Sequence, residues 1–303
     1  MPDPTPSPFP LECTGLSRRF RRTEALHDIT LRVEPGQVFG VVGENGAGKT
    51  TLMNLAMGLL RPTSGSIRIF GMDPVMEPEK TLARIGYLSE DHDLPGWMRL
   101  HELMSYTAAF FPDWDQDYAE SMREQFELDP GAKVRQLSRG QRALAGLLCA
   151  MAHRPPLLLL DEPSSGLDAV VRRDILGAII RTVADEGRTV VFSSHLLDEV
   201  ERVADHVALI RQGRLVETGS MEHLKARHHR VTLRLAEAQH HAPDLPGMLS
   251  ATGTGREWTL ICEGSRDELL GHIAGLPAEI MEQGVPTLEE IFVARAGRKA
   301  AKV

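Results

Sequence analysis

Gly43-Glu44-Asn45-Gly46-Ala47-Gly48-Lys49-Thr50 has the spacing Gly, four residues, Gly, Lys, then Ser or Thr, and its reading decides the fold. Its three glycines lack the β-carbons that would stop successive backbone N–H groups from wrapping round phosphate oxygens. Lys49 supplies a point charge for the outer phosphates and Thr50 a hydroxyl for Mg2+. The flanks agree with that role. Gln37 to Val42 is a short apolar run that reads as a strand, and Thr51 to Ala56 continues as a helix, whose N-terminus adds a partial positive charge. Strand, phosphate loop and helix together predict a nucleotide-binding α/β domain.

Composition narrows the setting. The 303 residues suffice for one large domain and a small one. Thirty-four Lys and Arg against 42 Asp and Glu give a net charge of −8, which argues against a nucleic-acid-coating role and for protein or small-anion partners. Three cysteines, Cys13, Cys149 and Cys262, stand far apart without a Cys-x-x-Cys pair, so reduced thiols are expected rather than a zinc or redox site. The longest apolar stretch, Ala143 to Ala152, is well short of the roughly 20 residues that span a bilayer. Prolines at 2, 4, 6, 8 and 10 mark an extended, disordered tail and not a secretion signal.

Outward from the loop, Leu11 to Leu16 and Ala25 to Val33 read as antiparallel strands joined by a basic turn, Arg18 to Arg22, that holds Phe20. Ser66 to Phe70 reads as a further strand, and Thr81 to Leu88 as a short helix leading into one. From Pro95 to Leu128 the pattern becomes helical, broken at Phe110 to Asp115, where Asp113 or Asp115 is a candidate N-cap. Leu137-Ser138-Arg139-Gly140-Gln141 opens an apolar helix. Leu157 to Leu160 then runs without a polar residue into Asp161 and Glu162, as a central parallel strand does, and ligands in such sheets bind at the strands' carboxyl ends. A helix from Val170 to Asp185, a strand Thr189 to Phe192, His195, a helix Leu196 to Ala204 and a hairpin across Gln212-Gly213 complete the domain. Beyond about Val231 three strands (Val231 to Leu235, Trp258 to Cys262, Ala278 to Glu282) and two helices (Arg266 to Ala274, Thr287 to Ala296) form a small α+β domain.

These motifs, in this order, resemble the ATPase subunit of an ATP-binding cassette (ABC) transporter over residues 11 to 220. The resemblance implies a P-loop NTPase domain over 11–225, with a helical subdomain at about 90–155, and a C-terminal accessory domain over 226–303. Gly43, Asn45, Gly46, Ala47, Gly48, Lys49, Thr50 and Thr51 correspond to the Walker A loop. Leu137 to Gln141 is similar to the Leu-Ser-Gly-Gly-Gln signature, so Ser138, Gly140 and Gln141 fall to the nucleotide of a second subunit. Thr50 and the Walker B Asp161 take Mg2+, Glu162 is the catalytic carboxylate, Ser165 to Asp168 the D-loop, and His195 the switch histidine. Phe20 falls where the family stacks adenine.

The sequence departs from the family at two places: Arg139 replaces a signature glycine, and Glu90 stands where a glutamine contacts the metal. As implied by the resemblance, the cofactors are ATP and Mg2+. The partners are a second ATPase subunit, as a homodimer, and an integral-membrane permease, so the chain sits in the cytoplasm on the membrane's inner face. Pro286 to Phe292 resembles the tail of ATPases that serve drug, antibiotic or lipid exporters. The alternative, an ABC ATPase acting on ribosomes or DNA, would call for a second cassette or a long coiled-coil insertion. Two other features read as ordinary: His228-His229 and His240-His241 lack the spacing of metal ligands and are expected in solvent. Ser193-Ser194-His195 cannot form a hydrolase triad from adjacent residues.

Overall fold

The computed structural model describes residues 9–298, with side chains through Arg295. Apart from Phe9 and Pro10, the proline-rich stretch expected to be a tail lies outside the described residues. The chain divides into two compact units, residues 1–218 and 219–303.

The first unit opens with β1 (Leu11–Phe20) and β2 (Thr23–Val33), antiparallel across Arg21-Arg22. Both strands outrun the apolar alternation, because register shifts after Cys13, Leu16 and Arg18 turn later side chains to the other face. Gly15 absorbs one shift at φ +58° and donates its N–H to Thr30 Oγ1 at 2.9 Å. β3 (Val38–Val42), buried throughout, leads through the phosphate loop into α1 (Lys49–Ala56). β4 (Ser64–Arg68) starts earlier than its apolar residues indicate and pairs with β1, giving a three-stranded antiparallel sheet. After α2 (Pro78–Leu82) and β5 (Ile85–Leu88) come the helices α3 (Leu100–Ala108), α4 (Gln116–Gln125) and α5 (Arg139–Met151). The unit ends with β6 (Leu157–Leu160), α6 (Ala169–Ala184), β7 (Thr189–Ser194), α7 (Leu197–Val203), β8 (His206–Arg211) and β9 (Arg214–Ser220).

Its main sheet has the order β5-β6-β7-β3-β8-β9, and the pairs β5–β6, β6–β7, β7–β3 and β3–β8 are parallel. All four leucines of β6 are fully buried, each contributing about 2 kcal/mol. The register pairs Leu160 with Phe192 and Val42 with Ser194. Consequently the residues just beyond β6, the end of β7 and the start of the phosphate loop share one sheet end. Phe39, Leu52, Leu159, Val191 and Ile210 fill the core beneath.

Asp115, not Asp113, caps α4: its Oδ1 accepts from Tyr118 N at 2.9 Å. The cap also ties the helical insertion to the core. Arg154 pairs with Asp115 at 3.0 Å and lies over the Tyr118 ring, 3.6 Å from its centre, while Tyr118 Oη donates to Glu186 at 3.1 Å. Phe111 stacks on His153 at 3.8 Å.

The second unit comprises α8 (Met221–Arg227), β10 (His228–Gln239), β11 (Met248–Glu263), α9 (Arg266–Ala274), β12 (Ala278–Gly284) and α10 (Leu288–Arg298). Its antiparallel sheet, β11-β10-β12, carries a core of Val231, Leu233, Leu235, Trp258, Leu260 and Leu269. β10 extends the expected Val231 to Leu235 at both ends, β11 extends Trp258 to Cys262 mainly toward its N-terminus, and β12 runs two residues past Glu282. α8 has no counterpart among the expected elements, although Ser220 caps it by accepting from His223 N at 3.1 Å. His228 corrects the expectation of solvent exposure: it is fully buried, its Nδ1 2.6 Å from Leu224 O, and burial lowers its pKa. All three cysteines are free and buried, and burial raises their thiol pKa values, for Cys149 and Cys262 to about 11. No described helix is long and apolar enough to cross a membrane.

Candidate active site

Backbone crowding dictates the glycines of the phosphate loop. A β-carbon on Gly43 would lie 2.2 Å from Ile210 O; on Gly48, at φ +108°, it would lie 2.4 Å from Ala25 O. Gly46 meets no neighbour but turns at φ +79°. The helix that follows starts without a side-chain cap and without an acidic residue in its first turn. By contrast α4, α5, α6 and α8 each receive a side-chain oxygen at that position. The N-terminal charge of α1 is thus left for an incoming anion.

A cleft of about 420 Å3 opens over the loop. Asn45, Gly46, Gly48, Lys49, Thr50, Thr51, Glu90 and Glu162 line it, all anticipated from the sequence; Gly43 and Ala47 belong to the same loop but not to the lining. Thr23, Glu24, Ala25, Gln212 and Gly213 also line it and escaped the sequence reading. The Gln212-Gly213 turn was legible as a hairpin, but its position was not. Gly213 N donates to Ala47 O at 3.0 Å and Gly213 O accepts from His27 N at 2.7 Å, which stitches the turn to both the loop and β2.

Charge is concentrated at one end of the cleft. Lys49, 5 % exposed, donates to Gly43 O at 2.6 Å and faces Glu162 Oε1 at 3.0 Å as an ion pair lacking hydrogen-bond alignment. Glu162 Oε2 lies 2.7 Å from His195 Nδ1. The β6–β7 register sets Asp161 and Glu162 beside Ser193, whose hydroxyl donates to Asp161 Oδ1 at 2.5 Å and accepts from Glu162 N at 2.9 Å. Ser193 was a missed member of the site; its signal was its place at a strand end level with the two carboxylates. Burial raises the Asp161 pKa, against the pull of the Ser193 and Thr50 hydroxyls and of Lys49. Glu90 is also raised, by desolvation and then by the charges of Asp161, Glu162 and Asp91. Glu162 adopts φ +47°, a left-handed backbone costing about 1–2 kcal/mol for a residue with a side chain.

Mg2+ suits these donors. Asp161 Oδ2 is buried with no hydrogen-bond partner, and a hard cation takes such an oxygen together with a hydroxyl and phosphates. No group of three or more His, Cys, Asp or Glu among the described residues is disposed to hold a metal, so nucleotide oxygens would have to complete the shell.

Asp161 and His195 adjoin Glu162 rather than line the cleft themselves, and two further sets of anticipated residues stand apart from it. Phe20, 39 % exposed, sits at the hairpin tip opposite Thr23, under the Arg18 guanidinium at 4.5 Å. Ser138 and Gln141 bond each other in a capping box, Gln141 N to Ser138 Oγ at 3.1 Å and Ser138 N to Gln141 Oε1 at 3.0 Å. Gly140 lets α5 approach α6, since a β-carbon there would meet Val171 Cγ2 at 2.8 Å, and the Arg139 guanidinium packs on Gly166.

Comparison with known proteins identifies the family. The ABC transporter family model matches residues 26–165. The daunorubicin resistance ATP-binding protein DrrA3 of Streptomyces coeruleorubidus is 33 % identical, over 93 % of this chain and 94 % of its own. The chain belongs to the ABC transporter ATP-binding proteins. A further relative, the ABC transporter ATP-binding protein YtrB of Bacillus subtilis, is 28 % identical over 95 % of this chain and 99 % of its own. Among solved structures, one titled the ATP binding subunit of an ABC transporter matches with a TM-score of 0.66 at 27 % identity, over 71 % of this chain and 91 % of that one. As a member of this family, the chain is an ATP-binding subunit of a transport ATPase.

Proposed function

We propose that the chain binds Mg2+·ATP at the 43–51 loop and hydrolyses it with Glu162 as general base, as the energising subunit of a membrane exporter for drug- or antibiotic-like compounds. The observation that carries this is Glu162 held between Lys49 and His195 at the mouth of the phosphate loop. The loop amides, the α1 N-terminus and Lys49 hold the phosphates. Thr50 and Asp161, with Glu90 beside them, hold Mg2+, which when bound neutralises phosphate charge. Glu162 takes a proton from the attacking water, and His195 Nδ1, held against Glu162 Oε2, fixes that carboxylate's orientation. Hydrolysis needs a second copy: Ser138, Gly140 and Gln141 are absent from the cleft lining of their own chain, and the partner supplies its own signature helix.

Closure of the pair on ATP and its opening after hydrolysis drive a membrane permease, so the chain works at the inner face of the membrane. The resistance relatives favour export, and the ribosome- or DNA-directed alternative draws no support from them. Glu162→Gln should preserve ATP affinity, lower turnover by about 10²–10⁴-fold and accumulate an ATP-bound dimer. Turnover like that of the wild type in this variant would show that the base lies elsewhere.

A further inference from the structure

Glu199 is a carboxylate outside the nucleotide cleft, 1 % exposed, on the helix that follows His195. It has two partners from two different segments. Ser164 Oγ, itself buried, donates to Glu199 Oε2. Arg172 Nε, from the first turns of α6, stands 3.0 Å from Glu199 Oε1 as an ion pair without hydrogen-bond alignment, while Arg172 Nη2 donates to Leu167 O at 3.4 Å. Glu199 therefore ties the turn after Glu162, and the helix that turn leads into, to the segment that carries His195.

The geometry makes this tie more than a buried ion pair. Segments 162–164 and 195–199 already meet at Glu162 Oε2 and His195 Nδ1. That contact, with Glu162 N donating to Ser193 Oγ, holds the near side of the turn, and the bond from Ser164 to Glu199 holds its far side. Glu162 also sits at φ +47°, a conformation that persists only where the surroundings over-determine it. We infer that Glu199 is a positioning residue for hydrolysis: by holding Ser164 and Arg172 it locks the 162–168 turn onto α7 and so keeps the Glu162 carboxylate against His195. This rests on Glu162 being the base.

The test is steady-state ATP hydrolysis and equilibrium ATP binding by the full chain, for Glu199→Ala, Glu199→Gln, Ser164→Ala and the double Ser164→Ala/Glu199→Ala, with Glu162→Gln as reference. Glu199→Ala should lower kcat at least about tenfold with KM and ATP Kd within about twofold, the signature of misplaced chemistry rather than lost binding. Glu199→Gln keeps an acceptor for Ser164 and should restore kcat to within about threefold of wild type, and the double variant should be no slower than Glu199→Ala alone, as for one shared link. A folded Glu199→Ala with kcat near wild type, or losses that multiply in the double variant, would overturn the inference. Should Glu199→Ala fail to fold, Ser164→Ala alone decides: a lower kcat at unchanged ATP Kd supports the link, and an unchanged kcat refutes it. Undiminished hydrolysis by Glu162→Gln would instead refute the base assignment itself.

Discussion

His153 shows how far a single side chain can set acid stability. It is 4 % exposed, stacked on Phe111, with Nε2 3.2 Å from Ile85 O. Burial lowers its pKa from 6.5 to about 4, so the folded chain binds this proton less readily than the unfolded one. The stability it contributes is complete above pH 6.5 and is lost as pH falls through 4, roughly 3 kcal/mol in all. Denaturant melts of His153→Gln across pH 4–7 should give a flatter acid limb than wild type; parallel limbs would exclude His153 as the cause. Glu90 makes an electrostatic prediction. It adds a third negative charge beside Asp161 and Glu162, so Glu90→Gln should tighten ATP binding in EDTA by about two- to fivefold while raising the Mg2+ concentration needed for half-maximal binding. Equal nucleotide affinity in EDTA would place Glu90 too far out to matter. The residues of the loop and the carboxylate pair were legible because phosphate and metal chemistry demands those types at those spacings. Ser193 was not, since its place beside the carboxylates depends on strand register, a long-range property, and no residue type at 162 announces the left-handed turn there.

Among the elements, α5 concentrates the most consequence in one helix. Its N-terminus is the stretch proposed as the signature, where Ser138 and Gln141 cap each other, and its body is buried from Ala143 through Met151. Gly86 lets β5 lie against it: a β-carbon there would meet Ala150 O at 2.0 Å. A backbone oxygen cannot yield as a side chain does, so Gly86→Ala should cost more than about 2 kcal/mol, seen as a lower Tm by circular dichroism. Ser138→Ala removes only the cap and should cost about 1 kcal/mol, leaving ATP binding by the isolated subunit intact. The contrast between units explains what pattern could reveal. β3 and β6 are short and apolar throughout, so their bounds were nearly readable. β10 alternates only from Val231 to Leu235, and β11 carries its apolar residues toward its two ends, with Gly253 and Gly255, both at positive φ, in a polar middle, hiding most of each strand.

At the scale of the whole molecule, every residue lining the nucleotide cleft belongs to the first unit, and the second has a core of its own. A fragment ending after Ser220, which keeps β9 whole, should bind ATP with the affinity of the full chain. A loss of more than about tenfold would mean that the C-terminal unit supports the site. The buried cysteines bear on how such questions are approached. Protonated at neutral pH and closed to solvent, they should resist Ellman's reagent in the native protein and react, all three, in denaturant. The wild-type chain is therefore already a dark background for site-directed labelling. A cysteine placed at an exposed position in each unit would carry a dye pair without first removing a native thiol, and energy transfer with and without ATP would then report on the distance between the two labels.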